Sequence, residues 1–421
     1  MKFGIFYEHQ LPKPWGEGKE LKLFQDALEQ VELADRIGID YAWEVEHHFL
    51  EEYSHSSAPE IFLAAASQRT KNIRLGHGIR QVITNYNHPV RTAECIATLD
   101  LVSNGRVEFG TGESSAILEL GGFDIPVASK REQYLEATEQ IANMLAMDPY
   151  PGYQGKYFDM PCRNVVPKSV QKPHPPLWVA CSNRETIKMA ARLGIGALTF
   201  AFVDPLDAKH WVDEYYSIIK SDQCVPIGHS INPNICMVTS LSLHEDRQEA
   251  VDRGLEGFEF FGFALGSLYG FGEHKPGRTN LFEQFRAVRE QRLEENPIDI
   301  SRALAAERGG IGTPEDMRKH LRKFEEVGVD QVTFIQQAGM NKHERICESL
   351  ALFGQEVLPE FKEREVARET KKAEELAPYI DAAMQRKKYI EPLADKDIPV
   401  FPALGRSIVE GEADPNKVAD S

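Results

Sequence analysis

The sequence is short of the features that most quickly assign a protein. No run approaches the ~18 apolar residues of a membrane span. Its six cysteines, Cys95, Cys162, Cys181, Cys224, Cys236 and Cys347, include no C-x-x-C pair. A chain this large needs no staples, so reduced thiols in a cytoplasmic protein are expected. Positive charge is also scarce: 48 Lys and Arg against 65 Asp and Glu give a formal net charge of −17. A surface that acidic repels phosphate backbones and anionic lipid, so neither nucleic acid nor membrane is expected as a partner. The opening Met1-Lys2-Phe3-Gly4-Ile5-Phe6-Tyr7 reads as a strand and lacks the long apolar stretch of a signal peptide. There is no H-E-x-x-H, and Glu8-His9-Gln10 stands where metal-dependent barrel hydrolases usually carry H-x-H. Neighbouring side chains diverge, so Glu46-His47-His48 alone cannot close a ligand set, and no metal is expected.

What the chain does have is rhythm. Ala34-Asp35-Arg36-Ile37-Gly38, Ala191-Arg192-Leu193-Gly194 and Glu325-Glu326-Val327-Gly328 each end a helical pattern on Gly, the residue that adopts the left-handed conformation cheaply. An apolar strand candidate follows each one. Residues 2–7, 41–45, 73–79, 107–111, 177–180, 197–202, 235–241 and 331–335 make eight such candidates. Helix, Gly, strand, repeated along 421 residues, predicts an α/β fold, a (β/α)8 barrel over residues 1–364. The open doubly wound alternative lacks its fingerprint, since Gly110-Thr111-Gly112-Glu113-Ser114-Ser115 has Ser where the third Gly belongs.

Two connections exceed simple loops. One follows the fourth strand. The other lies between the seventh and eighth and holds Phe258, Phe260, Phe261, Phe263, Tyr269 and Phe271. Such aromatic density excludes disorder; a satellite core and an apolar lid over a substrate both fit it. Residues 365–421 form a charged extension. Its helix carries an apolar stripe at Leu376, Tyr379, Ile380, Ala383 and Met384 that would dock on the barrel or on a second subunit, and its last dozen residues are expected to be disordered.

In a barrel, residues just past the strand ends converge on one mouth. Here these are Glu8 and His9; Glu46, His47 and His48; Arg80, Gln81 and Asn85; Gly112, Glu113 and Ser114; Ser182, Asn183 and Thr186; and Gln336 and Gln337. His47, beside a carboxylate and a second imidazole, is the candidate proton donor or acceptor. Ala180-Cys181-Ser182-Asn183-Arg184-Glu185-Thr186 reads two ways. Ser182 and Glu185 match a capping box, and a helix start ringed by Ser, Asn, Arg and Thr also suits a phosphate.

Several segments resemble the bacterial luciferase-like superfamily of flavin-dependent monooxygenases. They are Met1-Lys2-Phe3-Gly4, Trp43 with Glu46-His47-His48-Phe49, His88-Pro89-Val90-Arg91, Leu99-Asp100 through Ser103-Asn104-Gly105-Arg106, Phe109-Gly110-Thr111, Thr186 with Ala190-Ala191, and Gly312-Thr313-Pro314-Glu315. The resemblance implies a dimeric barrel that takes reduced FMN from a separate NAD(P)H:flavin reductase. It also implies oxygenation of a small apolar substrate with O2 through a C4a-peroxyflavin. It makes His47 the catalytic histidine, puts Ser182, Asn183 and Thr186 on the flavin-phosphate loop, and sets Gly78 and Gly112 beside the isoalloxazine. Use of the deazaflavin F420 for hydride transfer, or flavin binding without catalysis, are the alternatives. One departure stands out: Gly112-Glu113 replaces the Cys-Arg of luciferase, whose Arg helps hold the phosphate, so that grip must differ here.

Overall fold

The computed structural model describes residues 1–200, 202–295, 302, 304–305, 310–403 and 406. The final dozen residues, expected to be disordered, lie outside these, as does residue 201 of the sixth predicted strand. Eight parallel strands close into a barrel: β1 Lys2–Tyr7, β2 Tyr41–Glu44, β3 Arg74–Gln81, β4 Val107–Gly112, β5 Leu177–Cys181, β6 Gly196–Thr199, β7 Ile235–Ser240 and β8 Gln331–Ile335. Each is bonded to its neighbours in sequence, and β8 closes on β1 with Lys2 opposite Gln331 and Ile5 opposite Phe334. All eight predicted strands are present. The sixth ends at Thr199 rather than 202, and Phe200 and Phe202 leave the ladder to face the mouth.

The strands read as nearly continuous apolar runs because helices cover one face and side chains fill the other. Inside, Trp43 and Trp178 meet edge to face with ring centroids 5.4 Å apart. Trp43 needs the bare backbone of Gly76, where an added Cβ would stand 2.1 Å from Trp43 Cε3. Gly38, Gly194 and Gly328 sit at φ 95°, 66° and 91°, the left-handed helix exits that their sequence pattern implies.

The helices of the first half are α1 Lys19–Ile37, α2 Pro59–Arg69, α3 Pro89–Val102, α4 Ile117–Gly122, α5 Lys130–Ala146 and α6 Arg184–Arg192. Those of the second half are α7 Pro205–Ile219, α8 Arg247–Gly266, α9 Leu281–Glu295, α10 Pro314–Glu326, α11 His343–Glu356 and α12 Leu358–Arg386. The insertion after β4 contributes α4 and α5; that between β7 and β8 contributes α8, a wide turn at Ser267–Phe271 and α9. Helix α12 runs unbroken past residue 364 and docks on the barrel, at the end opposite the mouth. Its Lys372 ammonium donates to Asp330 and Asn234, the residues just before β8 and β7, at 2.8 and 2.6 Å. Leu376 and Ala383 of the predicted stripe are buried there, while Tyr379 stays exposed.

Candidate active site

Because the barrel is closed in sequence order, the carboxyl ends of β1 and β5 stand on opposite sides of its mouth. One cavity of about 540 Å3 spans the distance between them. Glu8, Val45, His47 and Tyr53 line the β1–β2 side, and Gly78, Ile79, Gly112, Val179 and Ala180 lie along the middle. Ser182, Asn183 and Thr186 line the β5 side together with Lys130 and Arg131 of α5. Phe261, Leu265 and Tyr269 come from the aromatic insertion. The structure thus brings His47, Gly78, Gly112, Ser182, Asn183 and Thr186 into one cavity.

His47 stands between two carboxylates. Its Nδ1 is 2.9 Å from Glu119 Oε1, its Nε2 3.6 Å from Glu8 Oε2, and the Tyr269 hydroxyl lies 3.4 Å from Nδ1. Burial disfavours a charged imidazole, yet Glu119 and then Glu8 overcome it and raise its pKa to about 9. Burial likewise raises Glu8, against the pull of His47 and the Tyr53 hydroxyl, to about 7. Glu119 goes the other way. Burial would raise it, but the His47 charge and hydrogen bonds from His47, Ser114 and the His48 N–H hold it below the ordinary carboxylate range. A pKa of about 9 favours the imidazolium at neutral pH, with Nδ1 committed to Glu119 and Nε2 facing Glu8 across 3.6 Å.

His48 points away from His47, as alternation along an extended chain demands. It bonds Glu46 at 3.1 Å and stacks on Tyr86, outside the cavity. Of the other strand-end residues, Glu8, Gln81, Glu113 and Ser114 line the cavity. The rest serve the scaffold: His9 pairs with buried Glu44 at 2.8 Å, Arg80 with Glu60 at 2.9 Å, and Gln337 brackets the Gln10 backbone. Among the described residues no group of three or more His, Cys, Asp or Glu is placed to hold a metal.

At the β5 end the capping box lies one residue later than predicted. Asn183, extended at φ −155°, is the cap: its Oδ1 accepts the Thr186 N–H at 3.1 Å, and the Thr186 hydroxyl answers its backbone N–H at 3.3 Å. Ser182 and Glu185 do not form the box. Asn caps as well as Ser, so the helix starts at Arg184 and Ser182 is left on the cavity wall, while exposed Glu185 pairs with Lys188 at 2.7 Å. The departure at Glu113 is answered locally: Arg131 grips its carboxylate at 2.7 and 2.8 Å and Lys130 reaches it at 3.2 Å. Two cations against one carboxylate leave this end net positive, beside a helix start that favours an anion.

The aromatic insertion is both a satellite core and a lid. Phe260, Phe263, Phe282 and Phe285 pack on one another at centroid distances of 5.2 to 6.1 Å, while Phe261, Leu265 and Tyr269 close the cavity. Together these residues fit a flavin mononucleotide: a cationic end for a phosphate, an apolar slot floored by Gly78 and Gly112, and a proton donor beyond it. Sequence reasoning gathered Glu8 without giving it a role, read Tyr269 as part of a satellite core or lid, and missed Glu119, Tyr53, Lys130 and Arg131 altogether. Glu119 lies on α4, seven residues past the β4 end, and no spacing rule links it to β2.

The family description for luciferase-like monooxygenases matches residues 1–331. A Sinorhizobium fredii protein of uncharacterized function, y4wF, is 33% identical over 41% of this chain, and the match spans about half (49%) of that relative. The oxygenase component of the flavin-dependent trigonelline monooxygenase of Acinetobacter baylyi is 24% identical over 87% of this chain and 98% of its own. The crystal structure of the monooxygenase RslO1 from Streptomyces bottropensis superposes with a TM-score of 0.70, at 25% identity, over 86% of this chain and all of that one. F420-dependent glucose-6-phosphate dehydrogenases also match.

Proposed function

The chain belongs to the luciferase-like monooxygenase family, and on that premise we propose that it is an FMNH2-dependent, two-component monooxygenase placing one atom of O2 on a small apolar substrate. The observation that carries this reading is the meeting of His47 and the Ser182–Asn183–Thr186 bend in one cavity of about 540 Å3 under an aromatic lid. Arg131, Lys130, Ser182 and the N–H groups opening α6 would hold the flavin phosphate, and Gly112, where an added Cβ would strike Ile79 Cδ1 at 2.2 Å, lets Ile79 pack along the floor beside Gly78. Reduced FMN, once bound, would supply the activation of O2. His47 Nε2 holds a proton at the far end of the cavity, and Phe261, Leu265 and Tyr269 exclude the water that would divert such chemistry to peroxide. The name of the Acinetobacter relative, an oxygenase component, supports a separate reductase as the source of reduced flavin.

The test combines the protein with FMN, NADH and a flavin reductase and screens small apolar compounds. NADH consumed without matching peroxide release is expected for a true substrate. A second reading, F420-dependent hydride transfer, is favoured by the F420-dependent relatives. Oxygen-independent turnover with F420, reduced as hydride donor or oxidised as hydride acceptor, and none with FMN, would establish it and end the first.

A further inference from the structure

Glu8 follows β1 directly and is only 3% exposed, yet among the described residues one of its carboxylate oxygens accepts no hydrogen bond. Oε1 accepts the Tyr53 hydroxyl at 2.9 Å, and the Glu8 carbonyl accepts the Ser54 hydroxyl at 2.8 Å, which fixes the residue in place. The other carboxylate oxygen, Oε2, faces His47 Nε2 at 3.6 Å, an ion-pair distance too long for a hydrogen bond. A buried acceptor short of a hydrogen-bond donor is destabilising. Glu8 lines the cavity, where a donor on a bound molecule would compete with His47 for that oxygen. The surroundings are aromatic: the Tyr53 ring lies 5.5 Å from Phe261 and 6.2 Å from Tyr269, centroid to centroid.

We propose that Glu8 selects the substrate, and that the substrate is a phenol, its O–H donated to Glu8 Oε2 and its ring packed against Tyr53, Phe261 and Tyr269. The inference deepens the monooxygenase reading and rests on it for the reaction that follows binding. Charge argues for a neutral donor. A cationic substrate would meet the His47 imidazolium beside the same oxygen, and an anionic one would meet Glu8 and Glu119. Burial holds the Glu8 carboxyl at about 7, below the ~10 of a phenol, so above neutrality Glu8 accepts the hydrogen bond without taking the proton. An aromatic ring also gains edge and stacking contacts from such walls that an aliphatic alcohol would not.

The test uses p-cresol and p-xylene, equal in shape and differing only in a hydroxyl for a methyl, titrated calorimetrically into the FMN-loaded protein. A merely apolar pocket prefers p-xylene, because the hydroxyl must leave water. Here p-cresol is expected to bind tighter by about tenfold or more, the scale of a hydrogen bond to a charged acceptor. Glu8→Leu should abolish that preference while FMN affinity, read by flavin fluorescence, stays the same. Equal or tighter binding of p-xylene to the wild type overturns the proposal whatever the variant does, and so does a p-cresol preference that survives Glu8→Leu. If FMN fails to bind, the monooxygenase reading falls. The same comparison, run on the flavin-free protein, then still decides the role of Glu8.

Discussion

His47 Nδ1 and Glu119 Oε1 stand 2.9 Å apart across 72 positions of sequence, joining the end of β2 to the insertion after β4. The contact fixes which ring nitrogen is committed to the protein and which faces the cavity. Glu119→Gln keeps the shape and removes the charge, so the pKa of His47 should fall from about 9 toward the ordinary 6.5, by at least about one unit. Histidine NMR titration reads the shift directly, and the alkaline limb of the turnover profile should move acidward with it. A limb that stays in place would show that another group limits the rate.

The same pair sets a pH dependence of stability. The folded pKa of His47 lies above its unfolded value, so its contribution is complete below pH 6.5 and is lost as pH rises through about 9. The Tm of the wild type should fall across that window, and that of Glu119→Gln should fall less steeply. Parallel curves would mean that the imidazole does not carry its charge into the folded state.

At the opposite end of the cavity, Glu113 competes with any anion for Arg131 and Lys130. Glu113→Gln frees both cations and should tighten FMN binding. Arg131→Gln should weaken it by roughly tenfold, the scale of a charge-assisted hydrogen bond. Flavin fluorescence titration measures both. Weaker binding in Glu113→Gln would place the phosphate elsewhere.

These contacts mark where the sequence stops being readable. The barrel was legible because local signals repeat: Gly38, Gly194 and Gly328 end helices at positive φ, and each is followed by a buried strand. The mouth was legible in outline because strand ends converge, which brought His47, Gly112 and Ser182 together. Partnerships across that mouth were not. Glu119 reaches His47 through tertiary placement alone, and Arg131 answers Glu113 from a helix 18 residues on. Even the capping box was misplaced by one residue, since Ser-x-x-Glu and Asn-x-x-Thr overlap and only backbone geometry chooses between them.

That choice has a measurable consequence. Asn183→Ala removes the cap of α6 and should cost about 1 kcal/mol of stability, seen as a lower denaturation midpoint. Ser182→Ala removes only a long 3.4 Å bond from the Asn183 side-chain amide, leaves the capping oxygen in place, and should leave stability within about 0.5 kcal/mol while weakening FMN binding. If instead Ser182→Ala is the destabilising change, the cap assignment is wrong.

The lid is tied down from outside the cavity. Glu51, on the loop after His47, accepts the Gly277 N–H at 2.6 Å, His274 Nε2 at 3.1 Å and the Lys13 ammonium at 2.9 Å. Lys13 also holds the Thr279 carbonyl at 2.6 Å, and next door Glu52 accepts the Phe282 N–H at 2.8 Å. These bonds fasten the segment between Tyr269 and α9 to the loop that carries the candidate proton donor. Burial would raise the Glu51 carboxyl, but Gly277, Lys13 and His274 hold it below the ordinary value of 4.5. Its contribution is therefore present above pH 4.5 and lost only as pH falls through the depressed folded value. Glu51→Ala removes the Glu51 share of that fastening without touching the cavity. FMN affinity should stay unchanged, while peroxide released per NADH consumed should rise several-fold as water reaches the site. A variant that stays as tightly coupled as the wild type would show that the lid stays closed without Glu51, held by the Lys13 and Glu52 bonds and by the packing of Phe261, Leu265 and Tyr269.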